Sequence, residues 1–335
     1  MYSLAFLLLF QFSHACNEAL EPQSTPLVTE NLLPTDSAWQ DPSKPEPIQS
    51  LLKSVDGGQT WTDIREGLPE VLKDVSCFAD ENGFYLRVGN EVYRNAPDAS
   101  HPDWNKEMLP DNYPNIAPGK SGIFAFNYNG QFVQRSIGMP VWSPVYTGFK
   151  EHGVHTIYET AAGTVIVGTD NGIMISLDRG TTWKEAYTGG WAREIAESNG
   201  VLLATSQGGI LRSTNEGQHW DYVVREGGVG IDVACIRGGF AVINFNTESQ
   251  IRRIRASYDG GLTWKAIDNG IPPTLSISSI VEVDGNFLCG HPKGIYRSTD
   301  QGKSWKMIVP TVENKVYNLL VSGKVIYAVP MDGGC

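Results

Sequence analysis

Three small groups of residues have side chains that could do chemistry or recognition. In GGWARE, Trp191, Arg193 and Glu194 bring a stacking ring, a guanidinium and a carboxylate to one point of the chain. Such a set suits stacking on a sugar or anchoring a partner's side chain, although the same tryptophan could plug an interior channel or pack between sheets. In QIRRIRAS, Arg252, Arg253 and Arg255 form a basic cluster that could grip a carboxylate-bearing glycan or an acidic partner segment through forked hydrogen bonds. It could also be a solvated strand face. His152 and His155 precede Tyr158 and Glu159, a combination able to move a proton, though no spacing demands it. The sequence shows no metal-ligand or redox pairing among its cysteines, no glycine-rich phosphate cradle and no Ser-His-Asp order. No catalytic set, cofactor or metal is therefore expected.

The elements that must position these residues are legible as a repeat. SVDGGQTW ends at Trp61, SLDRGTTW at Trp183, SYDGGLTW at Trp264 and STDQGKSW at Trp305, while STNEGQHW, ending at Trp220, carries Asn215 in place of the aspartate. Degenerate copies end at Trp104 and Trp142. The seven tryptophans follow one another at intervals of 43, 38, 41, 37, 44 and 41 residues. In each motif the aspartate is suited to accept turn N–H groups, glycine to adopt positive φ, and tryptophan to cover the turn. These are devices that hold a hairpin shut.

Between motifs the chain supplies further short β-rich runs, such as VHTIYET, TVIVGT, GIMISL and TWKEAY over 154–187. Four strands per repeat is a propeller blade. The last repeat has only the runs KVYNLLVSG and KVIYAVP, and the first has only IQSLLKS and TWTDI. Joining them completes one blade, so the expected fold is an all-β, seven-bladed β-propeller of four-stranded blades, closed by two N-terminal and two C-terminal strands. In that register Trp191, Arg193, Glu194, His155 and His291, with Asp170, Gln207, Asp232 and Lys293, belong to the ring face opposite the aspartate turns.

These motifs resemble BNR/Asp-box repeats, which occur in sialidases, sortilin-type receptors, glycoside hydrolases, polysaccharide lyases and photosystem II assembly factors. The resemblance covers about residues 47–330. In overall plan the chain is most similar to the photosystem II assembly factors, which implies a non-catalytic chaperone holding a membrane-protein intermediate. The repeat is a scaffold used under unrelated activities, so a carbohydrate-active enzyme or glycan-binding module is the alternative. Sialidases resemble six-bladed rings with an Arg-Ile-Pro signature, which is missing from this sequence.

The remaining sequence bears on location and partners. Residues 1–15 read as an export signal ending at Ala15, too short to span a bilayer. Cys16 then stands where a lipobox-like sequence would be acylated, although leucine at −3 and a basic n-region are lacking. Residues 16–46 are rich in Pro and Ser and read as a tether, with 47–335 forming the ring. A secreted or lipid-anchored monomer is expected, with a protein partner or glycan as ligand. The net charge of −11 argues against a general grip on nucleic acid or anionic lipid. Cys77, Cys235 and Cys289 are expected on inner strands as buried small hydrophobes.

Overall fold

The computed structural model describes residues 50–72, 75–99, 101–149, 153–225, 228–311 and 315–332. By its contacts the chain divides into a unit of residues Met1–Glu46 and a second of Pro47–Cys335. The signal, tether and Cys16 lie outside the described residues.

The described residues form seven four-stranded antiparallel sheets. Blades 1 to 6 span residues 76–108, 115–145, 154–188, 192–224, 228–266 and 280–310. Each contributes its strands in chain order. Blade 7 joins the chain ends: Lys315–Ser322 and Val325–Asp332 are its first two strands, Leu52–Ser54 the third and Thr62–Asp63 the fourth. Lys53 faces Tyr327 across the seam between them.

The first strands of the blades are Ser76–Asp80, Asn115–Gly119, Val154–Glu159, Ala192–Ser198, Gly228–Ile236, Ile280–Val283 and Lys315–Ser322. Each lies against the first strand of the next blade, and that of blade 7 lies against that of blade 1. The ring is closed. The second strands lie between neighbouring blades and carry near-continuous burial, as in Gly83–Val88 and Val165–Thr169. A strand covered on both faces has no polar side to present. The core accordingly divides into seven clusters, one per blade interface, such as Phe78, Tyr85 and Ile123 between blades 1 and 2, and Ile254, Phe287 and Tyr296 between blades 5 and 6.

Packing is tight where a first strand crosses the second strand of the preceding blade. A Cβ on Gly290 would sit 1.8 Å from the Tyr317 carbonyl oxygen, and one on Gly168 2.4 Å from that of Ala192. Only glycine lets the blades approach so closely. Gly290→Ala must push blades 6 and 7 apart, and overpacking of this kind costs about 1–3 kcal/mol. Urea unfolding of the variant is expected to show that loss, and an unchanged midpoint would mean the seam is loose.

The aspartate turns are built as their residue types dictate. In blade 3, Ser176 Oγ donates to Asp178 Oδ1 (2.7 Å), which also accepts from the N–H groups of Thr181 (3.1 Å) and Thr182 (2.7 Å). Asp178 Oδ2 accepts from Thr182 Oγ1 at 2.6 Å, and Trp183 Nε1 donates to the Gly180 carbonyl at 3.1 Å. The Thr182 hydroxyl, then its backbone N–H, hold the Asp178 carboxyl down to about 2. Asn215 in blade 4 keeps one-oxygen versions of these bonds, from Ser213 and from the His219 N–H. Trp104 and Trp305 instead reach across a blade boundary to the carbonyls of Ile64 and Ile267.

One expectation needs correction. Cys289 is buried and Cys77 half-buried, but Cys235 is exposed, because its position on the first strand of blade 5 turns it away from the interface clusters. Its Sγ donates to the Glu197 carbonyl at 3.1 Å.

Candidate functional site

In an antiparallel blade, the first-to-second and third-to-fourth connections lie at one end and the remaining loops at the other. The aspartate turns occupy the first end. At the other, the first strands of three successive blades each break register near their start: between Val154 and Thr156 in blade 3, Ala192 and Ile195 in blade 4, and Gly230 and Asp232 in blade 5. A bulge inserts an unpaired residue and re-aims the side chains around it. The unpaired residues are His155, the pair Arg193–Glu194, and Ile231. In blade 4 the Glu194 N–H donates to Thr205 Oγ1 (2.9 Å) in place of a ladder bond.

His155 Nε2 lies 2.6 Å from Asp170 Oδ1, and Tyr128 from blade 2 donates its hydroxyl to Asp170 Oδ2. The Tyr128 and His155 rings meet edge-on at 5.7 Å. The hydrogen bond to Asp170, then burial, push the Tyr128 phenol up, while the nearby charge of Arg193 opposes them. Three blades thus contribute to one polar cluster.

Arg193 lies over the Trp191 ring at 4.9 Å, and Arg225, at the end of the same blade, lies over Tyr222 at 4.1 Å. The Tyr222 hydroxyl is 2.6 Å from that of Tyr187 in blade 3. Both guanidiniums are exposed. Among the described residues neither forms an ion pair or a side-chain hydrogen bond. Stacking fixes the plane of each guanidinium and leaves its forked donors available.

Toward the ring axis, burial among the encircling blades pushes the Glu194 carboxyl up to about 8, aided by the charge of Asp232 and opposed by Arg193. Its side chain is nonetheless exposed to solvent. Burial also pushes Asp232 up to about 6, against hydrogen bonds from the Ile280 and Val233 N–H groups. On the far side of the ring, burial and then the Glu194 charge push the Cys77 thiol up to about 12.

Arg252, Arg253 and His291 come together around another feature, the long connection 267–279 from blade 5 to blade 6. The Arg252 N–H donates to the Thr274 carbonyl (3.1 Å) and its Nη1 to that of Ile277 (2.5 Å). His291 Nε2 meets the Pro272 carbonyl at 3.1 Å, while its Nδ1 accepts from the Lys293 N–H at 3.0 Å. Those contacts define the neutral tautomer, and burial lowers the His291 pKa. Arg253 grips Asp268 with two bonds, of 2.5 and 2.9 Å.

The predicted residues therefore fall into two groups. His155, Trp191, Arg193 and Glu194 gather near the channel mouth; Arg252, Arg253 and His291 gather under the 267–279 connection. His152 lies outside the described residues. Sequence reading missed Tyr128, Tyr187, Tyr222 and Arg225, whose partners are distant in the chain; an aromatic two or three residues from an arginine, as in Tyr222 and Arg225, was the available signal. No three His, Cys, Asp or Glu side chains among the described residues gather as metal ligands.

Residues 296–307, the aspartate turn of blade 6 with its flanking strands, match the BNR/Asp-box repeat family. The chain is a seven-bladed β-propeller that carries a BNR/Asp-box repeat. No curated protein matches it in sequence. Among solved structures this Asp-box propeller is similar to YCF48 from Cyanidioschyzon merolae, at 14% identity and a TM-score of 0.56 over 86% of this chain and 95% of that one. YCF48 bound to D1 peptide is similar at 13% identity and 0.52, over 85% and 95%. An oligogalacturonate lyase from Vibrio parahaemolyticus is similar at 9% and 0.53, over 84% and 97%. At these identities the likeness is one of fold.

Proposed function

We propose that this Asp-box propeller is a non-enzymatic binding scaffold, exported and held to a membrane through lipid on Cys16, that presents its channel-mouth face to a segment of a partner protein. The observation that carries this reading is the pair of ring-stacked guanidiniums, Arg193 on Trp191 and Arg225 on Tyr222. Aromatic and arginine side chains of this kind supply most of the energy of protein interfaces. In a chain of net charge −11 they favour an acidic segment. A fold shared with YCF48, which has been seen bound to D1 peptide, is compatible with peptide capture on such a ring.

The test is selection of a displayed random-peptide library on the full chain, followed by titration of a selected peptide. Replacing Arg193 and Arg225 together by alanine is expected to weaken that peptide at least tenfold, since a charge-assisted hydrogen bond contributes about 1.5–3 kcal/mol. The melting temperature should stay put, because both side chains are exposed. Undiminished affinity would remove the scaffold reading at this face.

A second reading, a carbohydrate-active enzyme, is favoured by the Tyr128–Asp170–His155 cluster, where a histidine is oriented by a carboxylate beside a tyrosine. It predicts turnover of an acidic oligosaccharide such as oligogalacturonate that His155→Ala abolishes.

A further inference from the structure

The 267–279 connection lies over something the channel mouth lacks: a half-buried guanidinium with no counter-ion among the described residues. Blade 5 explains how it arises. Its fourth strand is only Lys265–Ala266 and pairs with Arg255 and Ala256 alone. Above that point the third strand, Ile251–Ser257, loses its outer neighbour. Asp268 takes over by accepting the Ile254 N–H at 3.1 Å, and the connection then runs alongside until Thr274 accepts the Arg252 N–H.

The consequence for the two arginines differs. Both Asp268 oxygens are engaged, by the Arg253 fork and by Ile254. Arg252 is left with the single carbonyl of Ile277 for its guanidinium. Its Nε is buried without a hydrogen-bond partner, and among the described residues no carboxylate pairs with it. Burial alone lowers its pKa, with no neighbouring charge acting on it. A guanidinium withdrawn from water without a compensating anion is unfavourable.

The same arginine lines a cavity of about 300 Å3, together with Arg253, Asn269, Gly270, Pro272 and Ile277. That volume is at the lower end of the range for small-molecule sites. The lining mixes the Arg252 guanidinium with the Arg253–Asp268 ion pair, in which the Asp268 charge is already matched, an amide, and an apolar wall of proline and isoleucine, suited to a ligand with one charged end and a ring or short chain behind it.

We propose that this cavity binds a small organic carboxylate of monosaccharide size, its carboxylate held by Arg252 and its body lying against Pro272 and Ile277. The site is separate from the channel-mouth face and does not depend on the scaffold reading.

The test is calorimetric titration of the full chain with D-glucuronate, with D-glucose as the uncharged counterpart and inorganic phosphate as an alternative oxyanion. Saturable binding of glucuronate and none of glucose is expected. Arg252→Lys, which keeps the charge but loses the fork, should weaken glucuronate at least tenfold; Arg193→Ala should leave it unchanged. Arg252→Met is expected to abolish binding, and if it does not fold, the lysine variant and the glucose comparison still decide. Absence of saturable binding, binding indifferent to Arg252→Lys, or binding of phosphate but not glucuronate would each overturn the proposal. In those cases the guanidinium is only a clamp on the connection.

Discussion

Replacing Tyr327 by alanine is expected to destabilise the ring by about 3–5 kcal/mol, the range for removing a large buried aromatic side chain. Tyr327 is fully buried at the one place where the chain's two ends must find each other. Its ring stacks on Phe84 of blade 1 at 4.7 Å, with 17° between the planes. Its backbone pairs with Lys53 from the N-terminal strand, whose ammonium lies 5.8 Å from the Tyr327 ring before donating to the carbonyls of Ala96 and Ala99 at 3.2 and 2.9 Å. Removing the ring thus leaves a cavity between blades 7 and 1 and loosens the support of a buried cation. Tyr327→Phe keeps the stack and gives up only a long contact of 3.5 Å to Asn95 Oδ1, so it should cost under about 1 kcal/mol. Urea unfolding of the two variants separates the explanations. Equal losses would place the contribution in the hydroxyl and contradict the packing argument.

That closing seam is legible in the sequence, and the reason is physical. A two-strand remainder at each end of a periodic chain leaves open edges unless the remainders pair. The tryptophan spacing fixed the blade count because Trp61, Trp183, Trp220 and Trp264 each donate to a glycine carbonyl of their own turn, a local interaction that leaves a local signature. Many strand limits came within a residue or two, as with GIMISL against Gly172–Ser176, but of IQSLLKS only Leu52–Ser54 is strand among the described residues. The asymmetry of blade 5 was not readable. That its fourth strand would stop after two residues depends on Asp268 substituting a side chain for backbone, and nothing in the spacing announces such an exchange.

The site was legible in part for the same reason. Trp191, Arg193 and Glu194 could be placed at the start of a first strand, because register follows from the repeat. The three aligned bulges could not, since one extra residue in a strand looks the same in sequence as one extra in a loop. Nor could the pairing of Tyr128 with Asp170, which are 42 residues apart and meet only because adjacent blades present the same corner of the ring. The bulges matter most for Glu194, which they help turn toward the axis, next to Asp232 and opposite Cys77.

From that placement the protein should become less stable as pH rises from about 4.5 to 8, and Glu194→Gln should remove the part of that decline above about pH 6. The folded-state value for Glu194, about 8, lies above its ordinary 4.5. An acid raised in this way binds its proton more tightly in the native state, so its contribution is present in full below 4.5 and is lost as pH climbs through 8. Asp232 acts in the same direction between 3.8 and about 6. Above pH 6.5 the remaining slope therefore belongs mainly to Glu194. Because water in the channel screens the charge, the full shift does not convert to stability, and we expect Glu194→Gln to gain about 1–2 kcal/mol over wild type at pH 8.5 and little at pH 5. Asp232→Asn supplies the internal check. It removes the neighbouring charge that helps raise Glu194, so the falling limb should move to lower pH. Thermal unfolding from pH 5 to 9 reads both effects. A wild-type curve parallel to that of Glu194→Gln across pH 6.5–8.5 would mean that the encircling blades do not raise Glu194, and the axial arrangement would have to be redrawn with its side chain turned outward.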